Sequence, residues 1–200
     1  GNLSYSEDMI ITVGDINESP TNIGLDNLSV AENSAGSHVA NISGVDPDGD
    51  TLTYSIVGGA DAAMFEIPGL GDILHLSSGV SADYESKPQI KVQLQATDSE
   101  GLIFDKNFTV SVADVNEAPT DIALSSLTVE ENSAEGTVVG NLSATDPDVE
   151  DTDSFSLVGG TGSNLFEINA SNQLAVKSGA SLDYETLANP TLTIRTTDRS

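Results

Sequence analysis

The chain has no cysteine and no tryptophan, only two histidines, six basic residues and 4% aromatics. Without cysteine it has no disulfide staple, no thiolate zinc site and no cysteine nucleophile. A small all-β domain without disulfides needs another brace, and a bound metal is the obvious one. Few aromatics argue against a sugar-binding platform, which is usually built from exposed rings. No apolar run approaches the ~20 residues that cross a bilayer as a helix, so membrane insertion is not expected. No signal peptide is visible, and the chain reads as an internal segment of something longer. Nucleophile elbows, zinc signatures and phosphate-binding loops are missing, and the residues suggest no enzyme.

Acid is what the chain has in quantity. Its 200 residues carry 32 Asp and Glu against 6 Lys and Arg, a formal net charge of −26. Such a surface repels nucleic acid and anionic membranes. It also opposes compaction unless cations answer it. Hydrophobic residues make up 38% and are spread along the chain, enough for small cores. The length accommodates two domains of about 100 residues.

The chain repeats itself. Asp15-Ile16-Asn17-Glu18-Ser19-Pro20 recurs 99 residues on as Asp114-Val115-Asn116-Glu117-Ala118-Pro119. Glu32-Asn33-Ser34 recurs as Glu131-Asn132-Ser133, again at 99. Asp46-Pro47-Asp48, Asp83-Tyr84-Glu85 and Thr97-Asp98 recur at 100, as Asp146-Pro147-Asp148, Asp183-Tyr184-Glu185 and Thr197-Asp198. Val57-Gly58-Gly59 and Phe65-Glu66-Ile67 recur at 101. Blocks in one order with so little drift mean two homologous modules, placed at 20–118 and 119–200. Residues 1–19 look like the last strand and linker of a preceding module, because Met9, Ile11 and Val13 match Phe108, Val110 and Val112. The second module stops before the equivalent of that strand.

Each module reads as all-β. Ile90, Val92, Leu94 and Ala96 alternate with Lys91, Gln93 and Gln95, and Phe108, Val110 and Val112 with Thr109 and Ser111. A period of two marks strands with one buried face. Gly and Asp clusters punctuate them. About seven short strands per ~100 residues predict tandem Ig-like Greek-key β-sandwich modules stacked end to end. His38 and His75 each fall in such an alternation, which places them structurally rather than in catalysis.

The acids recur at module ends rather than as a uniform coat. Glu32 follows an early strand, Asp83 and Glu85 precede the penultimate one, and Asp114, Asn116 and Glu117 lie in the linker. Asp146 and Asp148 sit in a loop, and Asp198 ends a late strand. Together they would supply many hard oxygen ligands, and calcium takes 6–8 oxygens. Two other calcium motifs fail. Asp46-Pro47-Asp48-Gly49-Asp50 begins like an EF-hand loop, but Thr51 stands where Gly is needed and Val57 where the closing Glu is needed. Gly159-Gly160-Thr161-Gly162-Ser163-Asn164 resembles one turn of a calcium β-roll, but it occurs once, and such rolls need stacking.

These blocks resemble the cadherin superfamily, and specifically the cadherin-like repeats of large bacterial surface proteins. That family carries a Glu after its first strand, an Asp-Arg-Glu triplet, an Asp-x-Asn-Asp-Asn-x-Pro linker, an Asp-x-Asp loop and a late Ala-x-Asp. Here Tyr84 and Tyr184 replace the triplet's Arg, Glu117 replaces a linker Asp, and Ala118 replaces a linker Asn that serves through its carbonyl. The resemblance implies Ca2+ between the modules, held by Glu32, Asp83, Glu85, Asn116, Glu117, Asp146, Asp148 and Asp198 with carbonyls near Val115 and Ala118. Two or three ions are expected there. It further implies a partial site at the N-terminal linker from Asn17, Asp46, Asp48 and Asp98. Glu131, Asp183 and Glu185 lack their following linker and should bind weakly.

The implied function is a calcium-dependent extracellular, cell-surface adhesion or extender module, with adjacent repeats as partners and a homophilic or surface contact beyond them. A glycan-binding accessory module and a metal-free Ig-like spacer are the rival readings. The 9–13 segment adds one expectation. Stacked modules would hold it out of reach of the second module, which leaves two readings: the segment is simply cut from a longer chain at these points, or 9–13 completes that module in another copy by strand exchange.

Overall fold

The structure is a computed structural model and describes residues 1–69, 71–149 and 151–198. The chain forms two compact units, Gly1–Val115 and Asn116–Ser200. No α-helix occurs among the described residues.

The first unit is a sandwich of two four-stranded sheets. Its strands are β1 (Asn22–Leu25), β2 (Ser29–Ala31), β3 (His38–Val45), β4 (Thr53–Gly58), β5 (Phe65–Glu66), β6 (Ile73–Leu76), β7 (Gln89–Thr97) and β8 (Ile103–Ala113). One sheet runs β1-β3-β6-β5 and the other β2-β8-β7-β4, the Greek-key order of an Ig-like sandwich. β2 lies parallel to β8, pairing Val30 with Val112, and every other neighbour is antiparallel. The alternation read from sequence is the alternation of burial. Ile90, Val92, Leu94 and Ala96 of β7 and Val110 and Val112 of β8 all point into the core, where they meet Ile23, Val39, Leu74 and Leu76. Each large aliphatic side chain so buried contributes roughly 1.5–3 kcal/mol. His38 and His75 pair across β3 and β6, edge to face at 5.5 Å between ring centroids.

The second unit has β9 (Asp121–Leu124), β10 (Val138–Thr145), β11 (Ser154–Gly159), β12 (Phe166–Ile168), β13 (Gln173–Val176) and β14 (Thr193–Thr197). Its first sheet, β9-β10-β13-β12, reproduces the first sheet of the other unit. Even the irregularities repeat: β3 against β6 and β10 against β13 shift register at matching positions, His38/Ala40 and Val138/Gly140. Its second sheet holds only β11 and β14. Thr128, Val129 and Glu130, the counterparts of β2, are not a strand, because the strand that β2 pairs with in the first unit has no counterpart among the described residues. The core is correspondingly smaller, built on Phe166, Leu174, Val176 and Leu182.

Two repeated blocks have backbone reasons. Gly59 and Gly160 of the Val-Gly-Gly blocks have φ of 108° and 103°, and a Cβ would lie 2.6 Å from the Lys91 carbonyl oxygen or 2.1 Å from that of Thr191. Only glycine fits so close to a neighbouring strand. Asn33 and Asn132 both sit at φ 57°, a left-handed turn that Asn tolerates better than most residues. Residues 1–21 hold no strand. The strand expected over 9–13 is therefore not one in this chain, since a strand exists only by pairing and the segment has no neighbour to pair with.

Candidate metal centre

At the end of the first unit, Glu32, Glu85 and Asp114 each offer a carboxylate oxygen within 4.8 Å of the other two. Glu32 organises the group. It is 3% exposed, and its backbone N–H donates to the Ala113 carbonyl at 3.1 Å. Its Oε2 accepts from the Tyr84 N–H at 2.6 Å and its Oε1 from the Val115 N–H at 2.8 Å. One carboxylate thus ties the Asp83-Tyr84-Glu85 loop to the start of the linker. The left-handed turn at Asn33 supports it, with the Asn33 N–H donating to the Ala82 carbonyl at 3.1 Å. A buried carboxylate must be answered by donors or cations, and each oxygen of Glu32 keeps a lone pair beyond its amide bond. Asp83 has a local role: its Oδ1 accepts from the Ser86 N–H at 2.7 Å and closes the turn.

The N-terminal ends of the two units carry one repeated clamp. In the second, the Asn116 side-chain amide donates to Asp198 at 3.0 Å, the Glu117 N–H to Asp148 Oδ2 at 2.7 Å, and the Asp148 N–H to Asp146 Oδ1 at 2.9 Å. In the first, Asn17 donates to Asp98 at 2.9 Å, the Glu18 N–H to Asp48 Oδ2 at 2.7 Å, and the Asp48 N–H to Asp46 Oδ1 at 2.9 Å. Asp46 Oδ2 and Asp146 Oδ2 are buried without a hydrogen-bond donor, and so is Asp151 Oδ2. Buried acceptors left in that state are costly. An ion is one answer to all three.

Electrostatics follow the same layout. Burial pushes the Asp98 carboxyl up, but the amide of Asn17 and the N–H groups of Leu102, Glu100 and Gly101 outweigh it, and the net shift is downward. Burial raises Asp151, and the charges of Asp148, Asp146, Asp198 and Asp153 raise it further. The charge of Asp48 raises Glu18, with burial, Asp15 and Asp46 adding to it. Glu131, Asp183 and Glu185 form a third carboxylate group within 4.8 Å, all exposed. There Glu131 accepts only a 3.2 Å bond from the Tyr184 N–H.

The donors suit calcium. They are carboxylates with Asn116 or Asn17 amides, and backbone carbonyls such as Val115 and Ala118 lie on the same exposed linker, with no sulfur or imidazole nearby among the described residues. Hard oxygen sets of this kind select calcium over zinc or copper. Two residues were missing from the sequence-derived ligand set. Asp114 was legible as the first acid of the repeated linker block. Asp151 was legible as the counterpart of Asp50, at the 101-residue offset that the Val-Gly-Gly blocks share.

A pair of sandwich units with acidic clamps at their ends defines a tandem of all-β repeat modules. The cadherin domain family model matches residues 125–200. Human cadherin-related family member 2 is 36% identical over 168 residues, covering 76% of this chain and 13% of that protein. Mouse cadherin-24 is 29% identical over 218 residues, covering 98% of this chain and 27% of that protein. Among solved structures, human protocadherin-24 EC1-2 superposes with a TM-score of 0.67 at 21% identity, over 91% of this chain and 96% of that one. The chain belongs to the cadherin superfamily. It spans between about an eighth and a quarter of these two curated relatives. No helix among the described residues is long and apolar enough to cross a membrane.

Proposed function

We propose that this chain is a calcium-stiffened segment of a cell-surface adhesion or extender protein. Calcium is held where Glu32, Glu85 and Asp114 end the first unit and where Asn116, Glu117, Asp146, Asp148 and Asp198 begin the second. The observation that carries this reading is the buried, donorless Oδ2 of Asp146, repeated at Asp46, beside a linker already clamped by Asn and amide hydrogen bonds.

The physical mechanism is charge neutralisation coupled to linker order. Residues 114–117 connect the acids that end one unit to those that begin the next. Without a cation these carboxylates repel one another and the linker torsions stay soft. With two or three ions the linker is fixed, and the adjacent repeats become one stiff element. Extracellular calcium modules bind at about 10⁻⁴–10⁻³ M, a range that suits extracellular fluid and leaves the sites empty in cytosol. The segment would then hold a homophilic or surface-binding end of a longer protein at a set reach.

Calorimetric titration tests the binding, and small-angle scattering with and without EDTA tests the stiffening. The expected result is two or more binding events, a higher unfolding temperature with calcium, and a scattering profile that broadens on chelation. Absence of binding heat at millimolar calcium, or a profile indifferent to EDTA, would overturn the reading.

A further inference from the structure

The only two histidines of the chain meet on the outer face of the first unit's first sheet. On β6, Leu74 and Leu76 are fully buried, which turns His75 outward between them. On β3, the register shift between His38 and Ala40 puts Val39 and Ala40 both into the core. A bulge of this kind re-aims the side chains around it, and here it leaves His38 facing outward, directly opposite His75. On the other side of His75, β5 registers Glu66 against it. One row thus runs His38, His75, Glu66 across three neighbouring strands.

The geometry of the two rings suits a shared ion. Their centroids are 5.5 Å apart and their planes cross at 83°. Two imidazoles on one tetrahedral ion, each at about 2.1 Å, have centroids roughly 5 Å apart. His75 Nδ1 lies 3.3 Å from the Gly36 carbonyl oxygen. A carbonyl only accepts, so in the neutral ring Nδ1 carries the proton and Nε2 keeps its lone pair. Metal-binding imidazoles are usually oriented in this way. Glu66 is exposed, so its carboxylate can turn toward the pair. The net charge of −26 raises the cation concentration at the surface.

The second unit shows that the sheet does not require these histidines. It has the same strands and the same bulge, with Val138 opposite Ala175 and Glu167 opposite Ala175 on the other side. The carboxylate is kept there and both imidazoles are replaced.

We propose that His38 and His75 bind a zinc ion through their ring nitrogens, with Glu66 as the third ligand and water completing the shell. Imidazole nitrogen suits zinc and its neighbours in the first transition row, whereas calcium takes oxygen. The carboxylate groups at the ends of the units contain no histidine. The zinc site therefore does not rest on the calcium reading. Its ion ties β3, β6 and β5 together on their outer face and stabilises the first unit alone.

Zinc titration of the full chain in millimolar calcium, followed through the histidine side-chain signals by NMR, tests this. Calcium occupies the acidic groups, so zinc is left to the imidazoles. The expected result is that both histidines shift together and saturate at one zinc per chain. His38→Val and His75→Ala install the residues that the second unit holds at the matching positions, so folding is not at risk. Each should weaken zinc binding on the order of tenfold or more. Calcium titration of both variants should match that of the parent chain, whatever that result is. Histidine signals that stay fixed while zinc exceeds the chain overturn the proposal. So does zinc binding that is unchanged when both substitutions are combined.

Discussion

The two units share their repeated blocks, their first sheet and even their bulges, yet they differ in how completely they are closed. The first buries a continuous core across two four-stranded sheets, and the second has a two-stranded second sheet over a far smaller core. The difference traces to one element, β8. It pairs with β7, turns β2 into a strand and, with the linker that follows it, supplies the Ala113 carbonyl and the Val115 N–H that hold Glu32. Glu131 occupies the same position in the repeat and is exposed. The environment of this carboxylate is therefore set by a strand some 80 residues away in sequence rather than by its own neighbours.

A second contrast lies beneath the Asp-Tyr-Glu turns. In the first unit buried Asp61 pairs with Lys87 and accepts from the Lys91 N–H at 2.9 Å. Its counterparts in the second unit are Gly162 and Leu187. The Gly162 N–H keeps the backbone bond to the Thr191 carbonyl, as Asp61 keeps it to Lys91, but no ion pair remains.

The largest effect should separate the cores. Leu94→Ala removes a fully buried side chain and should cost about 2–5 kcal/mol. Ile194→Ala, at the matching position beside the open edge, should cost well under half as much. Chemical denaturation followed by exchange in each unit checks this, and equal losses would mean the second core is closed. Next, Glu32→Ala strands the Tyr84 and Val115 amides and should cost about 2 kcal/mol even without metal, whereas Glu131→Ala should barely move the second unit. Thermal melts in EDTA compare the two.

The smallest effect is a pH dependence. The hydrogen bond from Lys87 holds the Asp61 carboxyl below its usual value, against burial, with the Lys91 N–H and the charges of both lysines helping. A depressed folded value means that this stabilisation is complete above the unfolded carboxylate range, near 4, and is lost as pH falls through the folded value. Lys87→Met should flatten that acid limb in the first unit. The second unit, with Leu187 already there, should show no matching limb to lose. Denaturant midpoints between neutral pH and pH 2 measure it.

Much of the fold was legible because sandwich strands write their burial locally. Ile90 to Ala96 and Phe108 to Val112 alternate in sequence as they do in the core. The repeated acids were legible as blocks, and Asn17–Asp98 and Asn116–Asp198 meet as their shared spacing suggests. Other features were not readable. Asp83 and Asp114 look alike as acids near strand ends, but Asp83 closes its own turn while Asp114 joins Glu32 and Glu85. Asp151 repeats Asp50 at an offset of 101, but the burial of its Oδ2 comes from the fold of its loop. Residues 9–13 carry a strand's pattern and form no strand, because pattern supplies a face but not a neighbour.

The amino-acid order alone determined which side chains face inward along each strand, where the glycine and asparagine turns fall, and that the acids recur once per module. Those are properties of a few consecutive residues. Tertiary structure decided which carboxylates come together and which are buried. Each of those depends on hydrogen bonds and packing between strands far apart in the chain, which no local pattern encodes.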